Sequence, residues 1–406
     1  MDNTYKKVKL GDVVTIRRGA SPRPIQYYIS KVQGIPWIKI ADATAAEGKY
    51  IKKTKEFIKE DGVKHSVKVH QGDLILSNSA TPGIPKFVNM EACIHDGWLL
   101  LTNFKDIDKE YLYYLLLSKQ KELIHSARGT VFKNLQTDIV RDVEINLPPL
   151  PEQKRISSIL SSFDNKIEQL KKQNNILEDI AQSIFKEWFV KYNFPNKDGK
   201  PYKDNNGKMI DSELGLIPEG WRVTTYGEME DLKNGINYSR DEHGDTVCKI
   251  INTRDIVETN YITDQNLEKI NIDKEKAEKY IIDENDILII RSASPGKVAV
   301  VQNPSGMIIY SGFIIRLSPK DINTKWYLYE DLKEKGPKLT KYSESSVMKN
   351  INQQIINNTK VIIPSTKILN KYHTIANNIH EKIWNNTLET FNVKKSKNAA
   401  LNKLIK

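Results

Sequence analysis

A chain of 406 residues exceeds what one ordinary hydrophobic core can organise, so at least two domains are expected. Its hydrophobic content of 39% excludes wholesale disorder, and its net charge of +11 favours a polyanionic partner such as nucleic acid, although a generally lysine-rich surface would give the same charge. Two isolated cysteines, Cys93 and Cys248, exclude a disulfide framework and a cysteine zinc site. No signal segment follows the polar start and no run is long enough to span a membrane, so we expect a soluble cytoplasmic protein.

The first segment, residues 1–150, is predicted to be a globular domain of mixed α and β structure. Short runs alternate apolar and polar residues, and Val67-Lys68-Val69 leads through a Gly-Asp turn into Leu74-Ile75-Leu76. Such runs, bounded by turn residues, are typical of strands. A helix is expected to begin at the capping residue Asp108 and to bury Tyr111 and Leu112.

Residues 151–190 are predicted to form one long helix. Glycine and proline are absent from Glu152 to Phe189, and Pro151 suits the first turn of a helix. Roughly 38 residues at ~1.5 Å each give a rod of about 57 Å. The apolar residues follow a seven-residue repeat in two columns, which indicates the seam of a coiled coil. The first column holds Leu160, Ile167, Asn174, Ala181 and Trp188, and the second holds Ile156, Phe163, Leu170, Leu177 and Ile184.

After a crossover rich in turn-forming residues (191–220), the first half of the chain is repeated by a second domain (221–366) and a second long helix (367–406). Six matches occur in the same order, with offsets between 213 and 216 residues. They pair Gly11 and Gly19 with Gly227 and Gly235, Asp73–Leu76 with Asp286–Ile289, Ser79–Gly83 with Ser292–Gly296, Gly97-Trp98 with Gly312-Phe313, Val131–Leu135 with Val347–Ile351, and Pro148 with Pro364. The second domain is expected to carry its own helix, capped by Asn323 and burying Trp326 and Tyr327.

The second long helix has a less regular seam, which includes Ile375, Ile379 and Ile383. Because a helix with an apolar seam does not stay solvated alone, the two long helices are predicted to pack on each other as an antiparallel coiled coil. The predicted fold class is therefore α+β, with two similar mixed α/β domains separated by the two long helices in a pseudo-two-fold internal repeat. Asn174, polar at a seam position, either sets the register of the pair or is tolerated at a hydrated place.

Two motifs resemble those of a known family. The run Pro148-Pro149-Leu150-Pro151-Glu152-Gln153-Lys154-Arg155-Ile156 resembles the Leu-Pro-Pro-x-x-Glu-Gln-x-x-Ile start of the conserved helix in type I restriction–modification specificity subunits. The crossover that ends in Gly215-Leu216-Ile217-Pro218-Glu219-Gly220-Trp221 is similar to the one that leads into their second target-recognition domain. The order of domain, helix, crossover, domain and helix matches over the whole chain. The second helix departs from the pattern, because it begins Pro364-Ser365-Thr366-Lys367.

This resemblance implies a non-catalytic subunit that recognises a split sequence in double-stranded DNA, with one half-site read by each domain. It also implies docking of two modification subunits, which methylate adenine at N6, and through them of the restriction and translocase subunits. S-adenosylmethionine, ATP and Mg²⁺ are then expected on those partners, and no cofactor or metal on this chain. The long helices would act as a ruler, since two domains on one face of DNA sit about one helical turn, ~34 Å, apart.

Candidate DNA-contacting residues come mainly from paired loops. Ser77-Asn78-Ser79 and Arg291-Ser292 follow matching predicted strands, and asparagine and arginine suit adenine and guanine edges respectively. Capping turns are the alternative interpretation of these residues. Lys133-Asn134 and Lys349-Asn350 recur identically, which suits a phosphate contact or a helix cap. The remaining candidates are Arg17, Arg18, Arg23, Tyr238, Arg240, Arg254 and Lys297.

The sequence shows no catalytic site. No glycine-rich loop follows a predicted strand, and Leu147-Pro148-Pro149-Leu150 lacks the amide and the aromatic residue of an adenine-methylation pocket. The run Ser292–Val298 lacks the upstream glycine and the hydroxyl residue of a P-loop, and the seven histidines never take metal-ligand spacing. A self-contained methyltransferase or endonuclease, and a coiled-coil scaffold unrelated to DNA, are the alternative functions.

Overall fold

The computed structural model describes residues 5–46, 48–126, 134–239, 244–339 and 350–405. The chain divides into two compact units, residues 1–169 with 390–406 and residues 170–389. Each unit contains one mixed α/β domain together with part of each long helix. The units therefore do not follow the boundaries of the five predicted segments, because both long helices are divided between them.

In the described part of the chain, the first unit is built on two five-stranded sheets and a two-stranded ribbon. Its strands are β1 (Lys6–Lys9), β2 (Thr15–Arg18), β3 (Ile29–Ser30), β4 (Ile35–Ile38), β5 (Tyr50–Ile51), β6 (Glu56–Ile58), β7 (Val67–Val69), β8 (Leu74–Ser77), β9 (Pro85–Val88), β10 (Ala92–Ile94), β11 (Trp98–Thr102) and β12 (Glu144–Leu147). Its helices are α1 (Leu10–Val13), α2 (Ile40–Ala45), α3 (Glu60–Val63), α4 (Lys109–Ser118), α5 (Gln120–Ser126), α6 (Thr137–Arg141) and the start of α7 (Leu150–Phe185), with a 3-10 turn at Ile25–Tyr27. One sheet has the order β2-β11-β8-β9-β5 and the other β3-β6-β4-β10-β7, while β1 pairs with β12.

The apolar runs predicted as strands form the centre of these sheets. β8 lies between β9 and β11, and its Leu74, Ile75 and Leu76 are fully buried. A central strand that is covered on both faces is continuously apolar, because no face is left for polar residues. The predicted helix cap is confirmed, since the Asp108 side chain accepts a hydrogen bond from the Tyr111 amide (2.8 Å) at the start of α4.

The second unit repeats this construction. Its strands are β13 (Met209–Ile210), β14 (Ile217–Pro218), β15 (Arg222–Thr225), β16 (Glu230–Asn234), β17 (Thr246–Ile251), β18 (Tyr261–Ile262), β19 (Glu268–Ile272), β20 (Ile287–Ile290), β21 (Val298–Val301), β22 (Ile308–Tyr310), β23 (Ile314–Pro319) and β24 (Lys360–Ile363). Its helices are the end of α7, which continues as a π-helical turn over Lys186–Val190, then α8 (Tyr226–Met229), α9 (Thr253–Glu258), α10 (Lys274–Glu278), α11 (Lys325–Leu339), α12 (Gln353–Asn357) and most of α13 (Thr366–Leu404), with 3-10 turns at Lys203–Asn205 and Ile322–Thr324. Both predicted long helices are thus confirmed as α7 and α13.

The internal repeat is confirmed for most strands, although β3 and β7 have no counterpart in the described part of the second unit. The sheet β16-β23-β20-β21-β18 has the same order as β2-β11-β8-β9-β5, and β15 pairs with β24 as β1 pairs with β12. In both five-stranded sheets the outermost pair is parallel, β5 with β9 and β18 with β21. The sheet β19-β17-β22 corresponds to β6-β4-β10.

One of the six sequence matches is wrong by one residue. The registers of β11 and β23 make Trp98 equivalent to Ile314. Gly97 therefore corresponds to Phe313, not to Gly312. The glycine occupies a different place in the turn of each domain, and the shared residue type misplaced the match.

The predicted helix cap at Asn323 is also wrong. A 3-10 turn over Ile322–Thr324 precedes α11, and the Asp321 side chain accepts a hydrogen bond from the Asn323 amide (3.0 Å). The acid two residues earlier is thus the capping group, and it caps the 3-10 turn. α11 then buries Trp326 and Tyr327 as predicted.

Within the first unit, the start of α7 packs antiparallel to the end of α13. Ile156 and Leu160 share a hydrophobic core with Leu401. Further along α7, the Asp164 carboxylate accepts a hydrogen bond from the Lys397 ammonium (2.6 Å), and both side chains are largely buried. Residue numbers rise along one helix as they fall along the other, as in an antiparallel pair.

Within the second unit, Asn174 lies between α7 and α13 and bonds across their seam. Its Nδ2 donates to the Ile383 carbonyl (3.3 Å) and to Thr387 Oγ1 (3.2 Å), and its Oδ1 accepts from Asn386 Nδ2 (2.9 Å). These bonds tie one position of α7 to one turn of α13. They favour the interpretation in which Asn174 sets the register over the one in which it is merely tolerated at a hydrated place.

Most predicted seam side chains are buried or half-buried, but Ile375, which is also predicted for the seam of the second helix, is 38% exposed. Leu160, Leu170, Trp188 and Ile383 are buried, and Phe163, Ile167, Asn174, Leu177, Ile184 and Ile379 are half-buried. Phe185 and Phe189 are buried as well, although they lie outside the two columns. Their rings pack on the second domain, where Phe189 lies 4.7 Å from the Tyr327 ring.

The hydrogen bonds of Gln153 account for the glutamine of the helix-start motif. The side chain is fully buried, its Oε1 accepts from the Asp108 amide (2.7 Å), and its Nε2 donates to the carbonyls of Asp106 (2.9 Å) and Pro148 (2.8 Å). One amide therefore fastens the start of α7 to the start of α4. The equivalent residue of the second copy is Leu369, which is buried in an apolar core instead.

We expect Gln153→Ala to lower the free energy of unfolding by about 2 kcal/mol, because it leaves three main-chain groups without their partner. Urea denaturation of the full chain measures this change. Gln169→Ala, at an exposed position of the same helix, is the matched control and should change stability by less than about 0.5 kcal/mol. Equal effects of the two substitutions would contradict a fastening role.

Cys93 and Cys248 are buried free thiols. No helix in the described ranges is long and apolar enough to cross a membrane. Nor does that part of the chain bring together three or more His, Cys, Asp or Glu side chains in a way that could hold a metal ion.

Candidate nucleic-acid interface

In the first domain, three segments meet at a polar cleft of about 530 Å³. They are the end of β2, the residue after β8 and the stretch that leads into α6. The cleft is lined by Ile16, Arg17, Arg18, Asn78, Asn134, Gln136, Thr137, Asp138 and Arg141, and we call it the β2–α6 cleft. The structure thus brings together four predicted residues, Arg17, Arg18, Asn78 and Asn134.

The cations of the β2–α6 cleft are open to solvent. Arg17 and Arg18 are exposed on the edge strand β2, and Arg141 is exposed at the end of α6. Arg18 Nε donates to the Asp96 carbonyl (2.9 Å), while Arg141 donates to a main-chain carbonyl of β2 (3.2 Å) and pairs with Asp138 (3.2 Å). A main-chain bond orients a guanidinium group without neutralising it. Within the described ranges Arg17 and Arg18 have no carboxylate partner, so both can bind an anion.

The polar side chain of the last residue of β8, Ser77, points into the domain. Ser77 is buried, donates through Oγ to the Thr81 carbonyl (2.6 Å) and accepts from the Ile84 amide (2.8 Å). These bonds favour the alternative interpretation of Ser77 as part of a capping turn, and its DNA contact stays a prediction. Ser79, in the loop after β8, is half-buried.

Asn78 lines the cleft but is only 1% exposed. Its main-chain amide donates to the Gly97 carbonyl (2.9 Å), and its main-chain carbonyl accepts from the Leu135 amide (2.7 Å). Its side-chain Nδ2 donates to the Asp96 carbonyl (3.2 Å). A bidentate contact with adenine needs both the nitrogen and the oxygen of the side chain, so Nδ2 would have to leave the Asp96 carbonyl to make it, and the contact stays a prediction. Oδ1 has no hydrogen-bond partner among the described residues and is the acceptor that the fold leaves unused.

Arg23 lies beside Asp96 and is not among the residues that line the cleft. Its Nη2 is 3.6 Å from Asp96 Oδ2, and the same carboxylate accepts a hydrogen bond from Ser21. Burial raises the pKa of Asp96, but the Ser21 hydrogen bond and the neighbouring cations outweigh it, so the pKa lies below its ordinary value. The carboxylate is therefore ionised at neutral pH and partly neutralises Arg23.

The paired loop of the second domain has the same backbone frame. The Arg291 amide donates to the Phe313 carbonyl (2.9 Å) and its carbonyl accepts from the Ile351 amide (2.8 Å), which is the pattern seen for Asn78. Both loops then place an alanine and a glycine in the positive-φ region, at Ala80 (57°), Gly83 (82°), Ala293 (68°) and Gly296 (90°). Asn78 and Arg291 are therefore equivalent positions that carry unlike side chains.

Two predicted cations of the second domain are engaged within it. Arg254 pairs with Glu268 (3.1 Å) and Asp255 (3.7 Å). The Lys297 ammonium donates to the Val257 carbonyl (2.8 Å). Arg254 therefore shares its charge with two acids, which reduces what it offers to a phosphate, whereas the Lys297 charge is exposed and not neutralised by this bond.

The two uncharged candidates of this domain are half-buried. Tyr238 packs against a small core that contains Ile236 and Cys248. The Ser292 carbonyl accepts from the Ser294 amide (2.8 Å) within the paired loop. Ser292 directly follows Arg291 in the paired loop, and both Tyr238 and Ser292 remain predictions as DNA contacts.

The asparagines of the repeated Lys-Asn pairs directly precede Leu135 and Ile351, whose amides bond to the paired loops. Asn134 is half-buried in the β2–α6 cleft, and Asn350 is half-buried directly before Ile351, the residue that bonds to Arg291. Three predicted contacts lie outside the described residues: Lys133, Arg240 and Lys349.

Sequence reasoning missed Gln136, Thr137 and Arg141 in the cleft. They belong to α6 and the residue before it, which directly follow a repeated Lys-Asn pair. The counterpart of Gln136 in the second copy is Asn352, whose side chain caps α12 by accepting from the Ile355 amide (2.8 Å). Extending the repeat by a few residues would have pointed to this polar stretch.

The family model of the type I restriction modification DNA specificity domain matches the chain twice, over residues 2–202 and 218–398. The chain belongs to this family. Each copy of the specificity domain covers one globular domain and most or all of the long helix that follows it, so the two copies coincide with the internal repeat.

Relatives of similar length support this specificity-domain membership. The chain is 28% identical over 414 residues to the type I restriction enzyme MjaIX specificity subunit of Methanocaldococcus jannaschii, which covers 100% of this chain and 93% of that subunit. It is 23% identical over 390 residues to the type I restriction enzyme HindI specificity subunit of Haemophilus influenzae, covering 79% of this chain and 83% of that one. The fold is similar to that of the type I restriction-modification S subunit from M. genitalium, with a TM-score of 0.60, 14% identity and coverage of 100% of this chain and 97% of that chain.

The predicted function is confirmed by this membership. The chain is a DNA specificity subunit, the recognition component of a type I restriction–modification system rather than its catalytic component. The alternatives of a self-contained methyltransferase or endonuclease and of a scaffold unrelated to DNA are not favoured.

Proposed function

We propose that this specificity subunit reads a bipartite DNA target, with one half-site contacted by the paired-loop face of each domain. The observation that carries the proposal is the matched backbone frame around Asn78 and Arg291, which holds unlike side chains at one place in two copies of a scaffold. Two different half-sites require the same docking geometry and different base-reading groups. Shared frames with unlike loops supply both.

In the first domain, the β2–α6 cleft is the proposed DNA-facing surface. Arg17, Arg18 and Arg141 are exposed cations that line it, and they suit phosphate contacts that position the domain. Asn134, Gln136 and Thr137 offer hydrogen-bonding groups beside them, which suit base edges or sugar oxygens. Charge and hydrogen-bonding capacity thus lie together, as recognition of a duplex requires.

The proposed complex contains two modification subunits and, through them, restriction subunits. These partners would hold S-adenosylmethionine, ATP and Mg²⁺ and would methylate adenine or cleave DNA in the cytoplasm. The names of the relatives support this assembly, because each is the specificity subunit of a restriction enzyme. The long helices α7 and α13 would set the number of unread base pairs between the half-sites.

Replacing residues 8–147 with the equivalent segment of another specificity subunit is expected to change one half of the methylated site and to leave the other half and the spacer length unchanged. The physical reason is that each domain contains its own loops and its own copy of the scaffold. Genome-wide mapping of methylated adenines, in cells that also express the modification subunits, measures the outcome. The reciprocal control replaces residues 221–366 and should change only the other half.

Two results would overturn the proposal. If either replacement changed both half-sites, the assignment of one half-site to each domain would be wrong. If the purified chain transferred methyl groups without its partners, it would not be a recognition subunit alone. Duplex binding by the full chain should also weaken steeply with salt, because each phosphate contact releases a counterion.

A further inference from the structure

The turn between β22 and β23 displays an aromatic ring to solvent. Phe313 is 61% exposed, although most large apolar side chains of this domain are buried. The turn is closed by the Ile314 amide, which donates to the Ser311 carbonyl (2.9 Å), so Gly312 and Phe313 are its two central residues.

The fold does not explain this ring. Neither Gly312 nor Phe313 has a positive φ, and a turn of this kind accepts most residue types at its second central position, so the turn does not require an aromatic residue there. The first domain has Gly97 at the equivalent place, and a Cβ there would lie 2.2 Å from His95 Cε1 and 2.6 Å from Ser79 Oγ. Ser311 stands where the first domain has His95. The second domain therefore has room for a side chain where the first domain has none.

The position of the ring relative to the paired loop is informative. The Phe313 carbonyl accepts from the Arg291 amide (2.9 Å), and the neighbouring Gly312 amide donates to the Ile236 carbonyl (2.7 Å). Phe313 thus lies beside Arg291 and the segment that leads to Asn237, an exposed amide. An exposed ring, a guanidinium group and an amide side chain share one group of loop tips.

We infer that Phe313 contacts the C5-methyl group of a thymine in the half-site read by the second domain, an inference that rests on the proposed function. A single exposed apolar residue is common on protein surfaces and alone means little. Here the ring adjoins Arg291, the residue equivalent to Asn78 of the β2–α6 cleft, on the face that the proposed function assigns to DNA. In the major groove, a phenylalanine can recognise the apolar methyl group of thymine, and an arginine can recognise the edge of guanine. This contact is then specific to the second domain, because Gly97, the equivalent residue of the first domain, has no side chain that could make it.

The test combines a protein change with the removal of one methyl group from DNA. The full chain, with its modification subunits, is titrated with a duplex that carries the mapped target and with duplexes in which one thymine of the second half-site is replaced by deoxyuridine. The natural chain should lose about fourfold in affinity at one such position, the effect of one buried methyl group. Phe313→Ala should lose affinity for the unmodified duplex and show no further loss with that deoxyuridine.

Two variants serve as controls. Val247→Ala removes another exposed apolar side chain of the same domain (63% exposed) and should keep the natural sensitivity to deoxyuridine. Phe313→Leu keeps an apolar group at the turn and should keep part of that sensitivity. If the natural chain is insensitive at every thymine of this half-site, or if Phe313→Ala remains as sensitive as the natural chain, the inference is wrong. Failure of the natural chain to prefer its target over a scrambled duplex would instead overturn the proposed function, and the inference with it.

Discussion

Replacing Arg17, Arg18 and Arg141 together with alanine is expected to weaken binding of the full chain to its target duplex by about 100-fold at physiological salt. One counterion released for each phosphate contact raises affinity by about fivefold at that salt concentration, so three contacts together account for about 100-fold. The three guanidinium groups are exposed around the β2–α6 cleft, and two of them are held by main-chain carbonyls. Titration at several salt concentrations measures both the loss and the reduced slope of affinity against salt.

A control variant with the same change of net charge tests whether DNA binding depends on the cleft arginines or only on the net charge of the protein. Lys7, Lys9 and Arg155 are exposed cations of the same unit, and each is paired with an acid. Their combined replacement by alanine should weaken binding by less than about fivefold, because none of these three side chains lines the β2–α6 cleft. Equal losses for the two triple variants would mean that net charge, and not the cleft, binds DNA.

The arginine variant also distinguishes positioning from base reading. Phosphate contacts carry no sequence information, so binding to all sequences should weaken alike and the methylated site should stay the same. A changed or relaxed base at one position of the mapped site would show that one of these arginines reads a base edge instead.

Long-range organisation could be read from the sequence, because its signals are local and repeated. The seven-residue repeat from Ile156 to Trp188 depends only on helix geometry, and it predicted α7 to within a turn at each end. The offsets of the repeat predicted two equivalent sheets. The offset at Gly97 paired it with the wrong residue, because the glycine occupies a different position of the turn in each domain.

The details of the site could be predicted only in part. The sequence placed Arg17, Arg18 and Asn78 among the candidates. It could not show that the side-chain Nδ2 of Asn78 donates a hydrogen bond to the main-chain carbonyl of Asp96, which is 18 residues further along the chain. Burial of a polar side chain depends on which remote main-chain groups are within reach, and no local pattern records that. Arg141 was missed for the same reason, since its proximity to β2 exists only in the folded domain.

The aromatic core of the second unit shows a similar limit, and it gives the largest stability prediction. Trp326→Ala is expected to lower the free energy of unfolding of this unit by about 3–5 kcal/mol, the usual cost of removing a large buried aromatic ring. Trp326 is fully buried, stacks on the His380 ring at 3.8 Å between centroids, and donates through Nε1 to Asn377 Oδ1 (3.0 Å). Urea denaturation followed by circular dichroism measures the loss.

The cost should reach this range because the neighbours of Trp326 cannot easily fill the space it leaves. His380 is itself completely buried, and burial holds its pKa well below the ordinary value, so its ring is neutral in the intact core. It is also fixed by its Nδ1, which lies 2.6 Å from the Tyr261 hydroxyl. Phe313→Ala, which removes an exposed ring from the same unit, is the matched control and should change stability by less than about 0.5 kcal/mol. A loss below about 1 kcal/mol for Trp326→Ala would mean that the core relaxes into the cavity, and the stack with His380 would then contribute little to the stability of this unit.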